Sequence, residues 1–353
     1  MSLLMICRRL IGPYVAGFVP AVVCLGGCEA QTVGVGITVM RTRGTAGMNR
    51  VRSTESTAGQ STPDTTPVGR TPFDDLYDQP DPRAYFRVLG ALDYQTPHHA
   101  QEVFRRMAAN RTAHLAGRAE VLDICCSYGI NAALLNHDLT WDDLHAHYTS
   151  PRADALATAE LIEWDRAYYA ARRRQDAVPV TGLDVATPAL DYALAVGLLD
   201  HAFAENLETD PPSPALRRAV RATRLITVTG GASFLSPRTF QPLLAAVDAP
   251  VWIAAFVLRT GSYQPIAASL RSHGLVTEKA ADSTFAQRRF TSPQEQQYAV
   301  DAVAAAGEDP QGRETEGYFH TTLYVSRPPE DTAAFPLATL TQTPSSAPRL
   351  PRR

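Results

Sequence analysis

Hydrophobic and polar positions follow two regimes along the middle of the chain: short apolar runs of strand length, separated by segments with apolar residues every three or four positions. The first run, Val121-Leu122-Asp123-Ile124, stops in the small-residue stretch Cys125-Cys126-Ser127-Tyr128-Gly129. Ile130 to Leu135 then continue at helical spacing. Further strand-like runs fall at 178–185, 202–207, 225–229 and 251–258, the last almost wholly apolar, as a central strand covered on both faces should be. Residues 274–278 and 284–290 read as extended chain, and 318–326 alternate like a closing strand. Helices are predicted between the runs. Leu190, Leu194 and Leu198 form a stripe behind Pro188, another helix spans 263–273, and Ser292-Pro293-Gln294-Glu295 reads as a capping box opening one more. Ahead of the first strand, Ala100, Val103, Phe104 and Met107 share one helical face.

Strands alternating with helices predict one α/β domain over residues 84–327, a mostly parallel sheet of seven strands with helices on both faces. Residues 138–177 form an insertion between the first helix and the second strand. They carry Trp141, His145, His147 and Tyr148, then a predicted long helix over 151–174 with Leu156, Ile162, Trp164, Tyr168 and Tyr169. Arg172, Arg173 and Arg174 sit where a helix C-terminus favours cations. The insertion is either a substrate wall or a packed extension. Residues 48–83 and 328–353 are rich in small and polar residues and are expected to be disordered.

The chain of 353 residues is 45% hydrophobic and 20% charged, enough for one large core. Its net charge of -3 gives no reason to expect nucleic-acid backbone binding. Cysteines at 7, 24, 28, 125 and 126 make no disulfide framework and suit a reducing compartment. The N-terminus points the other way. Arg8 and Arg9 precede an uncharged run to Cys28, and Leu25-Gly26-Gly27-Cys28 resembles a lipoprotein cleavage box. The expected reading of 1–47 is an upstream extension, with the start at Met40 or Met48 and a cytoplasmic protein; the alternative is a membrane-anchored lipoprotein through Cys28. No metal-ligand spacing, nucleophile elbow or phosphate-binding lysine motif is evident in the core.

The strand with its acidic residue, the small-residue loop and Gly129 resemble the first motif of class I S-adenosylmethionine (SAM) dependent methyltransferases. That pattern has Gly-x-Gly-x-Gly; here Cys125 and Ser127 stand at the first two glycine positions and Gly129 at the third. The resemblance implies the Rossmann-like seven-stranded sheet with an antiparallel last strand, SAM as cofactor and a methyl acceptor, here expected to be a small molecule. It also implies that Asp123 organises the loop and meets the methionine amino group directly or through water, and that Cys125, Ser127 and Gly129 approach the methionine part. Asp184 is implied as the ribose ligand, with Val185 beside it; helix capping is the other reading of Asp184. The insertion 138–177 displaces it from the usual distance of about twenty residues after the glycine loop. Glu205 and Asn206, in the last part of the third strand-like run, are the candidates for the polar residue that the family places beside adenine. Tyr94, Gln95 and His98 are candidate substrate residues. No general base identifies itself; His98, His99 and His320 are the available histidines. A nicotinamide-dependent oxidoreductase is the main alternative, though it prefers an intact Gly-x-Gly-x-x-Gly. A non-catalytic SAM-binding protein is the other.

Overall fold

The computed structural model describes residues 70–113 and 118–341, apart from the side chains of 281 and 282, together with the backbone of three short N-terminal strands. These strands, β1 (Val23–Leu25), β2 (Ala30–Val33) and β3 (Ile37–Arg41), form a small sheet in the order β1-β3-β2. Cys28 and Met48, on which the two readings of the N-terminus turn, lie outside the described residues.

The main body is built on seven strands: β4 (Glu120–Ile124), β5 (Val180–Asp184), β6 (His201–Ala204), β7 (Thr223–Val228), β8 (Trp252–Leu258), β9 (Val276–Arg289) and β10 (Tyr318–Arg327). Their order across the sheet is β6-β5-β4-β7-β8-β10-β9. All neighbours are parallel except around β10, which runs antiparallel to both β8 and β9. The reversal of order at β4, with β5 on one side and β7 on the other, makes a crevice at the carboxyl ends of these strands, where open α/β sheets take their ligands.

The period-two alternation sorts the core into two layers. Val121, Val180, Leu225, Ala254 and Phe256 face one side of the sheet, covered by α1 (Arg83–Ala91), α2 (Thr96–Ala113), α3 (Ile130–Asn136) and α7 (Thr187–Ala195). Leu122, Ile124, Ile226, Val228, Ile253 and Ala255 face the other, under α8 (Pro214–Ala219), α9 (Pro237–Leu244) and α10 (Gln264–Ser272). β8 is buried along its whole length, as its apolar run required.

The insertion folds as α4 (Trp141–Tyr148), α5 (Pro151–Ala155) and α6 (Thr158–Ala170). The single helix expected over 151–174 is broken at Leu156 and Ala157, where Arg83 Nη1 donates to the carbonyls of Ala153 and Leu156 at 2.9 Å. These helices are core. The Phe86 and Tyr148 rings stack at 4.8 Å, and the fully buried Asp165 accepts from His147 Nε2 (2.6 Å), Tyr148 Oη (2.7 Å) and Tyr192 Oη.

The other boundaries also shift. The extended pieces at 274–278 and 284–290 are one strand, β9, kept continuous by pairing with β10 through a bulge. In α11 (Pro293–Ala305) Ser292 caps the Glu295 N–H at 3.1 Å, but the Glu295 side chain turns away to Arg288 and Thr291, so only half of the capping box forms. Residues 70–82, expected to be disordered, are an ordered strap. Tyr128 Oη donates to the carbonyls of Leu76 (2.8 Å) and Gln79 (2.9 Å), and Glu295 Oε1 accepts from the Thr71 N–H (2.9 Å). At the other end, α12 (Pro329–Ala334) and α13 (Leu337–Thr341) pack on the domain through buried Leu340 and a 2.6 Å bond from Trp252 Nε1 to Asp331.

Candidate functional site

β4 ends at Ile124, and the Cys125 N–H still pairs with the Leu183 carbonyl of β5 at 2.8 Å. The chain then enters the left-handed region at every second residue: Cys125 (φ 56°), Ser127 (φ 50°) and Gly129 (φ 73°). These are the three positions where the family motif has glycine. Two of them carry side chains, at a strain of roughly 1 kcal/mol each. Room for the Cys125 side chain, and for that of neighbouring Cys126, comes from facing segments. A Cβ on Gly231 would lie 2.3 Å from Cys125 Sγ, and one on Gly182 of β5 would lie 2.7 Å from Cys126 Sγ. Of the two substituted motif positions, Cys125 is thus matched by a glycine on the facing segment. Gly129 itself has no substitute, because a Cβ there would also press on Ala193 (3.2 Å) and Leu198 (3.3 Å).

Turning the backbone in this way aims an N–H inward, the geometry of an anion-receiving nest. Its occupant is the Asp184 carboxylate at the end of β5. Asp184 Oδ2 accepts from the Ser127 N–H (2.8 Å), and Oδ1 accepts from the N–H groups of Val185 (2.7 Å) and Ala186 (3.0 Å), where α7 begins. Asp184 therefore ties the loop to the start of α7, and Oδ2, with a single donor, keeps acceptor capacity. Burial raises its pKa, against those bonds. Val185, 65% exposed, offers an apolar surface beside it.

Beneath the loop, Asp123 is only 1% exposed. Its carboxylate accepts from Thr227 Oγ1 of β7 (2.7 Å) and from Asn131 Nδ2 of α3 (3.0 and 3.2 Å), and the same amide reaches Thr229 Oγ1 at 2.9 Å. Asp123 thus fastens β4, β7 and α3 to one another. Burial pushes it up to about 7, against the pull of the Thr227 and Asn131 bonds. The Cys125 and Cys126 thiols are raised well above the ordinary range by burial and then by Asp184, so they are protonated and inert as nucleophiles at neutral pH.

The rim gathers some of the remaining candidates and disperses others. Tyr94, 8% exposed, stands over Gly230 at the end of β7, and its ring packs edge-on to Tyr85 and Trp141. Gln95 is held through its N–H to the Gln287 carbonyl of β9. His98 is exposed on α2 with its ring against His99. His99 and His320 are each pushed down to about 4, by burial first, and are neutral at pH 7. β6 ends at Ala204, so Glu205 and Asn206 lie beyond it. Glu205 Oε2 takes the Ser213 N–H, and exposed Asn206 turns its Oδ1 onto the Glu208 N–H.

Sequence reasoning missed the strap and the residues that hold it. Tyr77 packs edge-on to Tyr85, and its hydroxyl is raised by burial and then by Tyr94 and Asp184. Tyr128 anchors the strap from within the motif loop. The available signal was Phe73, Leu76 and Tyr77, apolar at spacings of three and four in polar surroundings.

Strand order and the single reversed strand give the Rossmann-like seven-stranded sheet expected from the sequence, with a left-handed loop closing β4. No family model and no curated protein matches the chain. Among solved structures it is similar to the plantazolicin methyltransferase BamL in complex with a triazolic desmethylPZN analog and SAH, at 11% identity over 65% of this chain and 85% of that one, TM-score 0.34. It is also similar to the N-methyltransferase NodS from Bradyrhizobium japonicum WM9 with S-adenosyl-l-homocysteine (SAH), at 12% identity over 65% and 85%, TM-score 0.33. A TehB-like SAM-dependent methyltransferase from Corynebacterium glutamicum gives 16% identity over 64% and 86%, TM-score 0.30.

Proposed function

We propose that this protein transfers a methyl group from SAM to a small-molecule acceptor. The observation that carries the reading is the loop Cys125–Gly129, which keeps a left-handed backbone at all three motif positions although two are not glycine. The Asp184 carboxylate, accepting from the Ser127 N–H, holds that backbone in place. The residues fit the cofactor in two further respects. Ser127 Oγ is shielded from solvent and has no hydrogen-bond partner, and Asp184 Oδ2, with a single donor, keeps acceptor capacity for a hydroxyl.

In this reading Asp184 receives the ribose, Val185 lies along the adenine, and Glu205 or Asn206 borders it. Cys125, Ser127 and Gly129 line the methionine part, and Asp123 sets the loop from below through Asn131 and Thr227. SAM supplies a methyl already activated as a sulfonium, so the protein's work is alignment and exclusion of water. The strap serves exclusion, and Tyr94, with Gln95 and His98 farther out on the same turn and helix, marks the acceptor side. No side chain is assigned as general base.

Calorimetric titration with SAM, SAH and NAD tests the cofactor, and methyl release against a panel of small acceptors tests turnover. Tight binding of NAD alone would favour the oxidoreductase reading. Binding of SAM with no transfer to any acceptor would favour a non-catalytic SAM protein, for which the two non-glycine loop positions speak. We also propose a cytoplasmic protein; among the described residues no helix is long and apolar enough to cross a membrane. Recovery of native protein from membranes, acylated at Cys28, would overturn that.

A further inference from the structure

The carboxyl edge on the far side of β7 holds two arginines and one available carboxylate. Arg288, buried near the end of β9, makes a bidentate pair with Glu295 (2.7 and 2.9 Å). Glu295 also accepts from the Thr71 N–H, the Thr291 N–H and Thr291 Oγ1, so its oxygens are saturated. Although burial opposes its charge, these bonds hold it down at about 2.

Arg70, at the head of the strap, is left with no carboxylate partner among the described residues. Its Nη1 donates to Ser233 Oγ at 3.0 Å, and its Nε is shielded from solvent without a partner. The guanidinium lies 5.5 Å from the centre of the Phe234 ring and 5.8 Å from that of Phe319; Arg288 sits 4.8 Å from the Phe319 centre. Burial and the Arg288 charge both lower the Arg70 pKa. A half-buried cation with unspent donors, walled by aromatic rings beside a second cation, is a receptor for an anion.

Its position says which anion. Ser233 follows Gly231, the residue that abuts Cys125, while Phe319 begins β10 and Arg288 ends β9. The ribose and adenine positions lie on the opposite side, over β5 and β6. Arg70 therefore faces the part of the crevice beyond the reacting end of the cofactor. We propose, resting on the methyltransferase reading, that the acceptor carries a carboxylate or equivalent oxyanion, received by Arg70 with Ser233.

The test uses the full chain with benzoate as probe and benzamide as its neutral counterpart, with and without saturating SAH. Benzoate should bind and benzamide should not. R70Q should lose about tenfold or more in benzoate affinity, R70K less, and S233A about threefold, as expected for charge-assisted bonds. SAH affinity should stay within about threefold in all three variants, which separates an acceptor carboxylate from the cofactor's own. R70K and S233A keep the test valid if R70Q fails to fold. Equal binding of benzoate and benzamide would make Arg70 a packing residue, and a tenfold loss of SAH in R70Q would assign it to the cofactor; either overturns the proposal. Absence of SAH binding in the wild type would sink the methyltransferase reading instead, and the titrations without SAH would still report whether Arg70 selects an anion.

Discussion

Ser127→Gly and Cys125→Gly make the same backbone change at two left-handed positions, and the structure gives them opposite signs. At both sites glycine relieves about 1 kcal/mol of left-handed strain. At both it also loosens the unfolded chain, which opposes the gain by about 0.7 kcal/mol. The side chains decide. Ser127 Oγ is shielded and unbonded, so deleting it removes a polar group whose burial costs about 1 kcal/mol. Ser127→Gly should therefore stabilise the ligand-free protein by about 1 kcal/mol, a rise of about 3 °C in Tm for a domain of this size. Cys125 fills the space against Gly231, and losing its half-buried Cβ and Sγ forfeits roughly 1.5 kcal/mol of packing. Cys125→Gly should then lower stability by about 1 kcal/mol. Ser127→Ala is the control, since it deletes the hydroxyl but keeps the strain, and it should also stabilise by about 1 kcal/mol. Thermal unfolding without cofactor measures all three. A drop in Tm for Ser127→Ala would mean the hydroxyl is bonded within the protein, and a rise for Cys125→Gly would mean its packing is not what holds the loop.

Three further outcomes follow from the same geometry. Asp123 is raised in the folded state, so its contribution favours folding at acid pH and is lost as pH rises from about 4 towards 7; the Tm advantage of Asp123→Asn over wild type should grow across that window and level off above it. A flat difference would show Asp123 ionised throughout. Tyr128→Phe removes the donor to Leu76 and Gln79 and should cost about 1 kcal/mol, with faster hydrogen exchange confined to the strap; unchanged exchange there would detach the strap from Tyr128. Asp165→Ala strands His147 and Tyr148 of the insertion and Tyr192 of α7 and should cost roughly 3 kcal/mol in urea unfolding, whereas a loss under about 1 kcal/mol would show the insertion to be peripheral.

The sheet was legible because its central strands β4, β5, β7 and β8 are buried on both faces and read as apolar runs, and because the loop after β4 combines small residues with an acidic neighbour. Asp184 was legible for the same reason, at the end of the next run, although its bonds to three backbone N–H groups were not. What the sequence concealed depends on partners far along the chain. The loop tolerates Cys125 and Cys126 through Gly231 and Gly182, which no local pattern connects to them. The strap looked disordered because Phe73, Leu76 and Tyr77 bury only against distant elements. The helix break at Leu156 has no proline or glycine to announce it and is fixed by Arg83 from another element. Residues 280–283 lie where the β9–β10 register shifts, between the pairs Lys279–Tyr324 and Thr284–Thr322, and lack strand character of their own.

The central claim is that the crevice between β4 and β5 binds SAM through the loop and Asp184, and titration of SAH into wild type and Asp184→Ala tests it most directly. Wild type should bind SAH and not NAD, and Asp184→Ala, checked by circular dichroism for an intact fold, should bind SAH more weakly by roughly 1.5–3 kcal/mol, the scale of hydrogen bonds to a charged group. Equal SAH affinity in the two folded proteins would remove Asp184 from the site, and a wild type that binds NAD but not SAH would contradict the account.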